Sequence, residues 1–202
     1  MSLWRAEQPL ILASQSASRQ MLLRNAGVPF QAIPADLDER GVQESSGLRA
    51  PGEIAGLLAR EKALNVARRH RGRIVIGADQ TLAAGERLFN KPAGRTAAAD
   101  QLRALAGRTH ELHSAIAIAI DDDVVFAEVV VARMTMRALS DAAISAYLDA
   151  AGDAVTTSVG AYQLEGLGVH LFERIEGDHF TILGLPLLPL LAYLRGQGWL
   201  GL

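Results

Sequence analysis

The chain has 202 residues, 50% of them hydrophobic, with 20 basic against 22 acidic side chains and a formal net charge of -2. That length buries a core within one domain, and so even a charge balance carries no electrostatic footprint for nucleic acid or an anionic membrane surface. The absence of cysteine excludes a disulfide framework, a thiolate nucleophile and a Cys-based zinc site, and fits a cytoplasmic protein. No apolar run approaches the roughly 18 to 20 residues of a transmembrane helix, and the one near the N-terminus is too short for a signal-peptide core. A metal, if one binds, must be held by oxygen or histidine.

Residues 10–13 form an apolar strand candidate that stops at Ser14-Gln15-Ser16, and residues 19–26 follow with a helical pattern closed by Gly27. A hydroxyl-rich turn at a helix start presents Ser14, Ser16 and backbone N–H groups to an anion, and Arg19 adds a charge shaped for phosphate oxygens; the plainer alternative is a serine N-cap beside a surface arginine. Neither a G-x-x-x-x-G-K-[ST] nor a G-x-G-x-x-G stretch occurs. Residues 28–34 read as a second strand running into Asp36, Asp38 and Glu39, which are either hard oxygen ligands or a solvated loop. Residues 41–50 read as a polar, mobile segment ahead of Pro51.

A helix over residues 51–70 carries an apolar stripe of Ile54, Leu57, Leu58 and Leu64, with Glu61 near its middle and Lys62 at its edge. Charges there either snorkel or line a cleft, Lys62 meeting phosphate and Glu61 a metal. Ile74, Val75 and Ile76 then make a strand that delivers Asp79, Gln80 and Thr81 just past its end, where ligands of open α/β sheets bind; an aspartate there can equally cap the next turn. Residues 82–88 read as a hairpin turning at Gly85 and returning to Lys91, held beside Pro92 as a surface charge or an anion ligand. Thr96 can cap a helix ending at Gly107. Residues 110–120 alternate with the period of a strand and pair with residues 124–136 across a solvated Asp121-Asp122-Asp123 tip. Ser140 starts another helix; residues 158–168 concentrate Gly160, Tyr162, Glu165, Gly166 and Gly168; residues 169–175 and 180–183 read as strands; and a helix over residues 186–195 closes the chain.

Taken together, SQSASRQMLL (14–23), LDE (37–39), AREKA (59–63), GADQT (77–81), NKP (90–92), GRTH (107–110) and GAYQLEGLG (160–168) resemble, in order and spacing, the Maf family of nucleotide pyrophosphatases over nearly the whole chain. The resemblance implies an α/β fold with a mixed, strongly twisted sheet flanked by helices, like that of the inosine triphosphate pyrophosphatases. It implies a single domain over residues 1–202, or one with two lobes around a central cleft. It also implies hydrolysis of a nucleoside triphosphate to monophosphate and pyrophosphate with Mg²⁺ or Mn²⁺, and pairing as a homodimer, with no nucleic acid or membrane partner. The family's positions fall on Ser14, Ser16 and Arg19 at the phosphates, Glu39 and Asp79 at the metal, Lys62 and Lys91 as cationic clamps, and Asp79 as proton acceptor. For base specificity the positions are Ser18, Gln80 and Glu165. Gln80 with Glu165-Gly166 resembles the 7-methyl-GTP branch more than the dTTP and UTP branch, which carries Asp-Thr and Ile-Gln there. Ser18 departs from the family's bulky or basic residue and leaves room for a broader substrate set. A non-catalytic nucleotide-sensing or division-related protein is the alternative.

Overall fold

The structure, a computed structural model, describes residues 3–201. Seven strands form one mixed sheet: β1 (Leu10–Leu12), β2 (Phe30–Ala32), β3 (Val75–Ala84), β4 (Arg87–Phe89), β5 (Thr109–Ile120), β6 (Asp123–Met136) and β7 (Phe172–Glu176). Their order is β2-β1-β3-β5-β6-β7, with β4 paired to β3 off this path. β1 runs parallel to both β2 and β3, while β3 with β4 and β6 with β7 are antiparallel. Parallel neighbours need a crossover. It is supplied by α1 (Ala17–Asn25) between β1 and β2, and by α2 (Glu39–Ser46) and α3 (Pro51–Ala67) between β2 and β3. The remaining helices are α4 (Arg95–Leu105), α5 (Asp141–Ala151), a short α6 (His179–Ile182) and α7 (Leu187–Gly196). The expectation of a mixed sheet flanked by helices holds.

The chain divides into two compact units, one of residues 1–80, 114–130 and 184–202, the other of residues 81–113 and 131–183. In the first, a core of Ile11, Ala13, Ala55, Ala59, Ala63, Val66, Val75, Ala115, Ala117 and Ala119 is built largely from small residues. Alanine on both partners lets a helix lie close on a strand, and Gly77 takes this to its limit. A Cβ there would overlap the carbonyl oxygen of Ala59 and stand 2.6 Å from the amide nitrogen of Ala63, both in α3.

The second unit packs Leu82, Phe89, Leu102, Leu105, Leu112, Met134, Met136, Ile144, Leu148, Tyr162 and Leu171 together. Within it His110 is buried, its Nε2 lying 2.7 Å from the Tyr162 hydroxyl, while its Nδ1 is buried without a hydrogen-bond partner. Burial lowers the His110 pKa to about 4 and raises that of Tyr162, so both stay neutral near pH 7. Segment 158–168 is tied down rather than loose: the Ser158 hydroxyl donates to the Tyr162 carbonyl at 2.6 Å and the Tyr147 hydroxyl to that of Ala161 at 3.2 Å. A cleft of about 190 Å³ beside α5, lined by Leu139, Tyr147, Leu167 and Leu171 among others, is mostly apolar.

Several elements differ from the sequence reading. Residues 41–50 contain most of α2, because the Asp38 carboxylate accepts from the Gly41 amide at 3.0 Å and caps it. Residues 180–183 are not a strand. Asp178 caps α6, accepting from the Thr181 amide at 2.9 Å; four apolar or β-branched residues do not reveal their period. Residues 167–171 form a 3₁₀ turn, leaving β7 to begin at Phe172. The cap of α4 is Gly94, two residues before Thr96.

Candidate functional site

Asp79 lies inside β3, not beyond it: the strand runs ten residues, from Val75 to Ala84. The reason is unequal partners. β1 pairs with β3 only at Val75 and Ile76, and β4 only from Leu82 onward. Asp79 therefore sits where β1 has already turned into α1. The carbonyls of Ile74 and Ile76 accept from the amides of Ile11 and Ala13 at 2.8 and 2.7 Å. Two residues on, the Ala78 carbonyl has lost its strand neighbour and accepts from Arg19 Nη1 at 2.8 Å instead. Arg19 thus closes the sheet edge that β1 leaves.

Arg19 is more occupied than a surface charge. Its Nε donates to the Gly184 carbonyl at 2.7 Å and its Nη1 also donates to Ser14 Oγ at 3.1 Å, which leaves Nη2 as the nitrogen able to meet a ligand. Gly184 has φ +88°, a conformation that suits glycine, while a Cβ there would meet the guanidinium at an ordinary 3.5 Å. Ser14 Oγ accepts from the Ser16 amide at 3.2 Å, and Ser16 Oγ caps α1 by accepting from the Arg19 amide at 3.4 Å. The capping reading holds at Ser16, and it leaves the hydroxyls able to serve an anion, because a hydroxyl that accepts can still donate its own hydrogen.

In a strand, alternate residues share a face, so Asp79 points with Gly77 toward α3. There Lys62 Nζ lies 2.6 Å from Asp79 Oδ1 and 2.9 Å from Glu39 Oε1. The buried positions of α3 are 54, 55, 58, 59, 62, 63, 66 and 67. Lys62 therefore occupies the centre of the buried stripe, while Glu61 and the expected core residues Leu57 and Leu64 are only half-buried. The alanines, which sequence hydropathy underrates, are what pack. Glu39 opens α2, half-exposed, where a carboxylate complements the helix dipole. Burial pushes the Asp79 carboxyl above the usual carboxylate range, with Lys62 and Arg19 pulling it back. Burial likewise lowers Arg19, against the pull of Asp79 and Glu39.

The structure thus brings Ser14, Ser16, Arg19, Glu39, Lys62 and Asp79 together in the first unit. Gln80, on the opposite face of β3 from Asp79, donates to the buried Ser114 hydroxyl at 2.8 Å, and Ser18 stands in the first turn of α1. Lys91 and Glu165 are exposed on the second unit. Sequence reasoning missed Gly184 and Ser114. Ser114 left a signal, a lone hydroxyl in the row Leu112, Ser114, Ile116; nothing in the sequence couples Gly184 to an arginine 165 positions away.

The donor set bears on a metal. Glu39 and Asp79 each place an oxygen on one nitrogen, so a single small cation can span both, and hard carboxylate oxygens suit Mg²⁺ or Mn²⁺. Among the described residues no group of three or more His, Asp or Glu side chains could hold a metal, so an ion held by these two carboxylates would need water and ligand oxygens to complete its shell.

Fold and site together define an α/β protein with a mixed sheet and a buried carboxylate–ammonium cluster beside an arginine-braced serine turn. The chain belongs to the family of Maf-like proteins, which it matches over residues 9–197. It is 71% identical over 98% of both chains to a nucleoside triphosphate pyrophosphatase of Bradyrhizobium diazoefficiens. To one of Rhodopseudomonas palustris it is 66% identical over 99% of both. A 7-methyl-GTP pyrophosphatase of Rhizobium meliloti is 52% identical over 94% of this chain and 96% of its own. Among the described residues no helix is long and apolar enough to cross a membrane.

Proposed function

We propose that this protein hydrolyses nucleoside triphosphates between the α- and β-phosphates, releasing a monophosphate and pyrophosphate. The observation that carries the reading is the Lys62 ammonium held between Asp79 and Glu39 beside Arg19 and the Ser14–Ser16 turn. A polyanion meets cations there, and a buried carboxylate of raised pKa is placed to take a proton. The two nucleoside triphosphate pyrophosphatases to which the chain is similar support the same reaction. In it a water oxygen bonds to the α-phosphorus, its proton passes to Asp79, and the electron pair of the broken phosphoanhydride bond leaves on pyrophosphate. Arg19 Nη2 and Lys62 offset the phosphate charge, the Ser14 and Ser16 hydroxyls donate to phosphate oxygens, and positioning with electrostatics supplies most of the acceleration. Lys91 joins as a second clamp on motif resemblance.

Glu39 and Asp79 would hold a Mg²⁺ or Mn²⁺ ion, which when bound neutralises phosphate charge and polarises the reacting phosphorus. Gln80, Glu165 and Ser18 are assigned to the base. An acid at Glu165 accepts from the N1–H and amino group of a guanine, and a methylated, positively charged base favours it further. The Rhizobium meliloti relative supports 7-methyl-GTP as a candidate, and the small Ser18 supports a broader set. Homodimer formation belongs to this proposal on family resemblance, and a cytoplasmic location on the absence of cysteine.

The test is a panel of canonical and modified nucleoside triphosphates with Mg²⁺ or Mn²⁺, read as pyrophosphate release. Orthophosphate in place of pyrophosphate refutes the cleavage position, and turnover undiminished by a chelator refutes the metal. Binding without turnover would favour the sensing alternative, although two carboxylates facing a polyanion serve a binder poorly.

A further inference from the structure

Lys62 does more in this geometry than wait for a phosphate. Its Nζ touches Asp79 Oδ1 at 2.6 Å and Glu39 Oε1 at 2.9 Å, and its side chain is only 11% exposed. The nitrogen therefore stands between the two carboxylates that would hold a divalent ion, in the place of the cation they would share. We infer that Lys62 is a resident cation of the metal site. It neutralises Glu39 and Asp79 in the free protein, and leaves them for the substrate's phosphates when metal and nucleotide enter together. This rests on the metal-dependent reading above and adds an order of events to it.

The partners support the exchange. Glu39 is 52% exposed and opens α2, a helix without buried residues, so its side chain can turn from an ammonium to an ion without disturbing a core. The lysine stem is long and flexible, whereas Asp79 is fixed in β3. Without a resident cation, the empty site would present two carboxylates to an incoming polyanion. With one, the arriving phosphates and the arriving metal each find a partner already made, because the ammonium passes to the phosphates as the metal takes the carboxylates. Metal alone gains little, having to displace a cation into water; metal with nucleotide gains both contacts.

Mn²⁺ binding to the free protein, followed by electron paramagnetic resonance, tests this in the parent, Lys62→Met and Lys62→Gln, each with and without a triphosphate whose α,β-bridging oxygen is replaced by methylene. The parent should bind Mn²⁺ at least about tenfold more tightly with the analogue present, and both variants should bind Mn²⁺ at least about tenfold more tightly than the parent without it, each a difference of about 1.4 kcal/mol. Equal affinities of parent and variants without nucleotide would overturn the inference and leave the metal reading standing. No Mn²⁺ binding by any of them, with or without analogue, would overturn both. A second readout needs no variant: the side-chain ¹⁵N signal of Lys62 in the parent should shift when Mg²⁺ and the analogue are added together and stay in place with the analogue's metal-free form. An unchanged signal on joint addition means that the ammonium never leaves the carboxylates, and the inference fails.

Discussion

Replacing Gly77 by alanine tests whether the spacing of β3 and α3 sets the site. The added Cβ would stand 2.6 Å from the Ala63 amide nitrogen and overlap the Ala59 carbonyl oxygen. Both are backbone atoms, so no rotamer change relieves the clash. Restoring an ordinary contact of about 3.5 Å needs strand and helix to part by at least about 1 Å at the Ala63 nitrogen and by more at the Ala59 oxygen. The Lys62–Asp79 bond, now 2.6 Å, bridges those two elements and would stretch toward about 3.6 Å, where it ceases to be a hydrogen bond. Overpacking costs about 1–3 kcal/mol and the stiffer unfolded chain returns about 0.4–1 kcal/mol, so Gly77→Ala should lose about 1–2 kcal/mol in urea denaturation. A displacement of about 1 Å can lower turnover roughly 100-fold, read as pyrophosphate release. Gly56→Ala is the control within the same helix. Its Cβ would meet only Val129 Cγ2, at an ordinary 3.5 Å, and it should be neutral or gain up to about 1 kcal/mol. If Gly77→Ala matches the parent in both urea midpoint and pyrophosphate release, the close approach does not hold the site and the reasoning fails.

Asp79→Asn should lower pyrophosphate release by about 10² to 10⁴-fold, the usual worth of a general base, and parental turnover would remove Asp79 from that role. Burial holds the folded pKa of His110 at about 4, below the ordinary imidazole value of 6.5. Between those values the unfolded chain takes up a proton that the folded one refuses. Stability from this residue is therefore complete above about pH 6.5 and lost as pH falls toward 4, by up to about 3 kcal/mol; urea midpoints of the parent should fall over that window more steeply than those of His110→Asn, and parallel curves would contradict the burial argument. Glu165→Gln should move substrate preference from guanine nucleotides toward pyrimidines, and an unchanged nucleotide profile would take Glu165 out of base recognition.

What was legible in the sequence followed how each signal is encoded. Period-two alternation in residues 110–120 and the β-branched run after it gave β5 and β6, because long amphipathic elements repeat their signal. Short elements do not: α6 has four residues, and its cap at Asp178 outweighed the β propensity of Phe180, Thr181 and Ile182. The expected stripe of α3 holds at Ile54 and Leu58 but not at Leu57 and Leu64, because hydropathy favours leucine whereas the neighbouring strand selects for small size at 55, 59 and 63. That error put Glu61 where Lys62 belongs.

The position of Asp79 carries the larger lesson about this site. Ligands of α/β sheets gather beyond the carboxyl ends of strands, and the sequence reading applied that rule to β3. The strand that ends beside Asp79 is a different one. It is β1 that ends, at Leu12, and its departure into α1 leaves the middle of β3 without that neighbour while β3 runs on to Ala84. A mid-strand acid is thereby left without a strand neighbour on one side, held rigid by its own strand, and backed by the helix that Gly77 admits. The orphaned Ala78 carbonyl requires a donor, and Arg19, carried on the helix that displaced β1, supplies it. The same turn that empties the sheet edge thus brings Ser14, Ser16 and a guanidinium to it. One side chain satisfies the orphaned backbone carbonyl and, in the proposed reaction, also meets the phosphates, so the capping and phosphate readings of this turn do not compete.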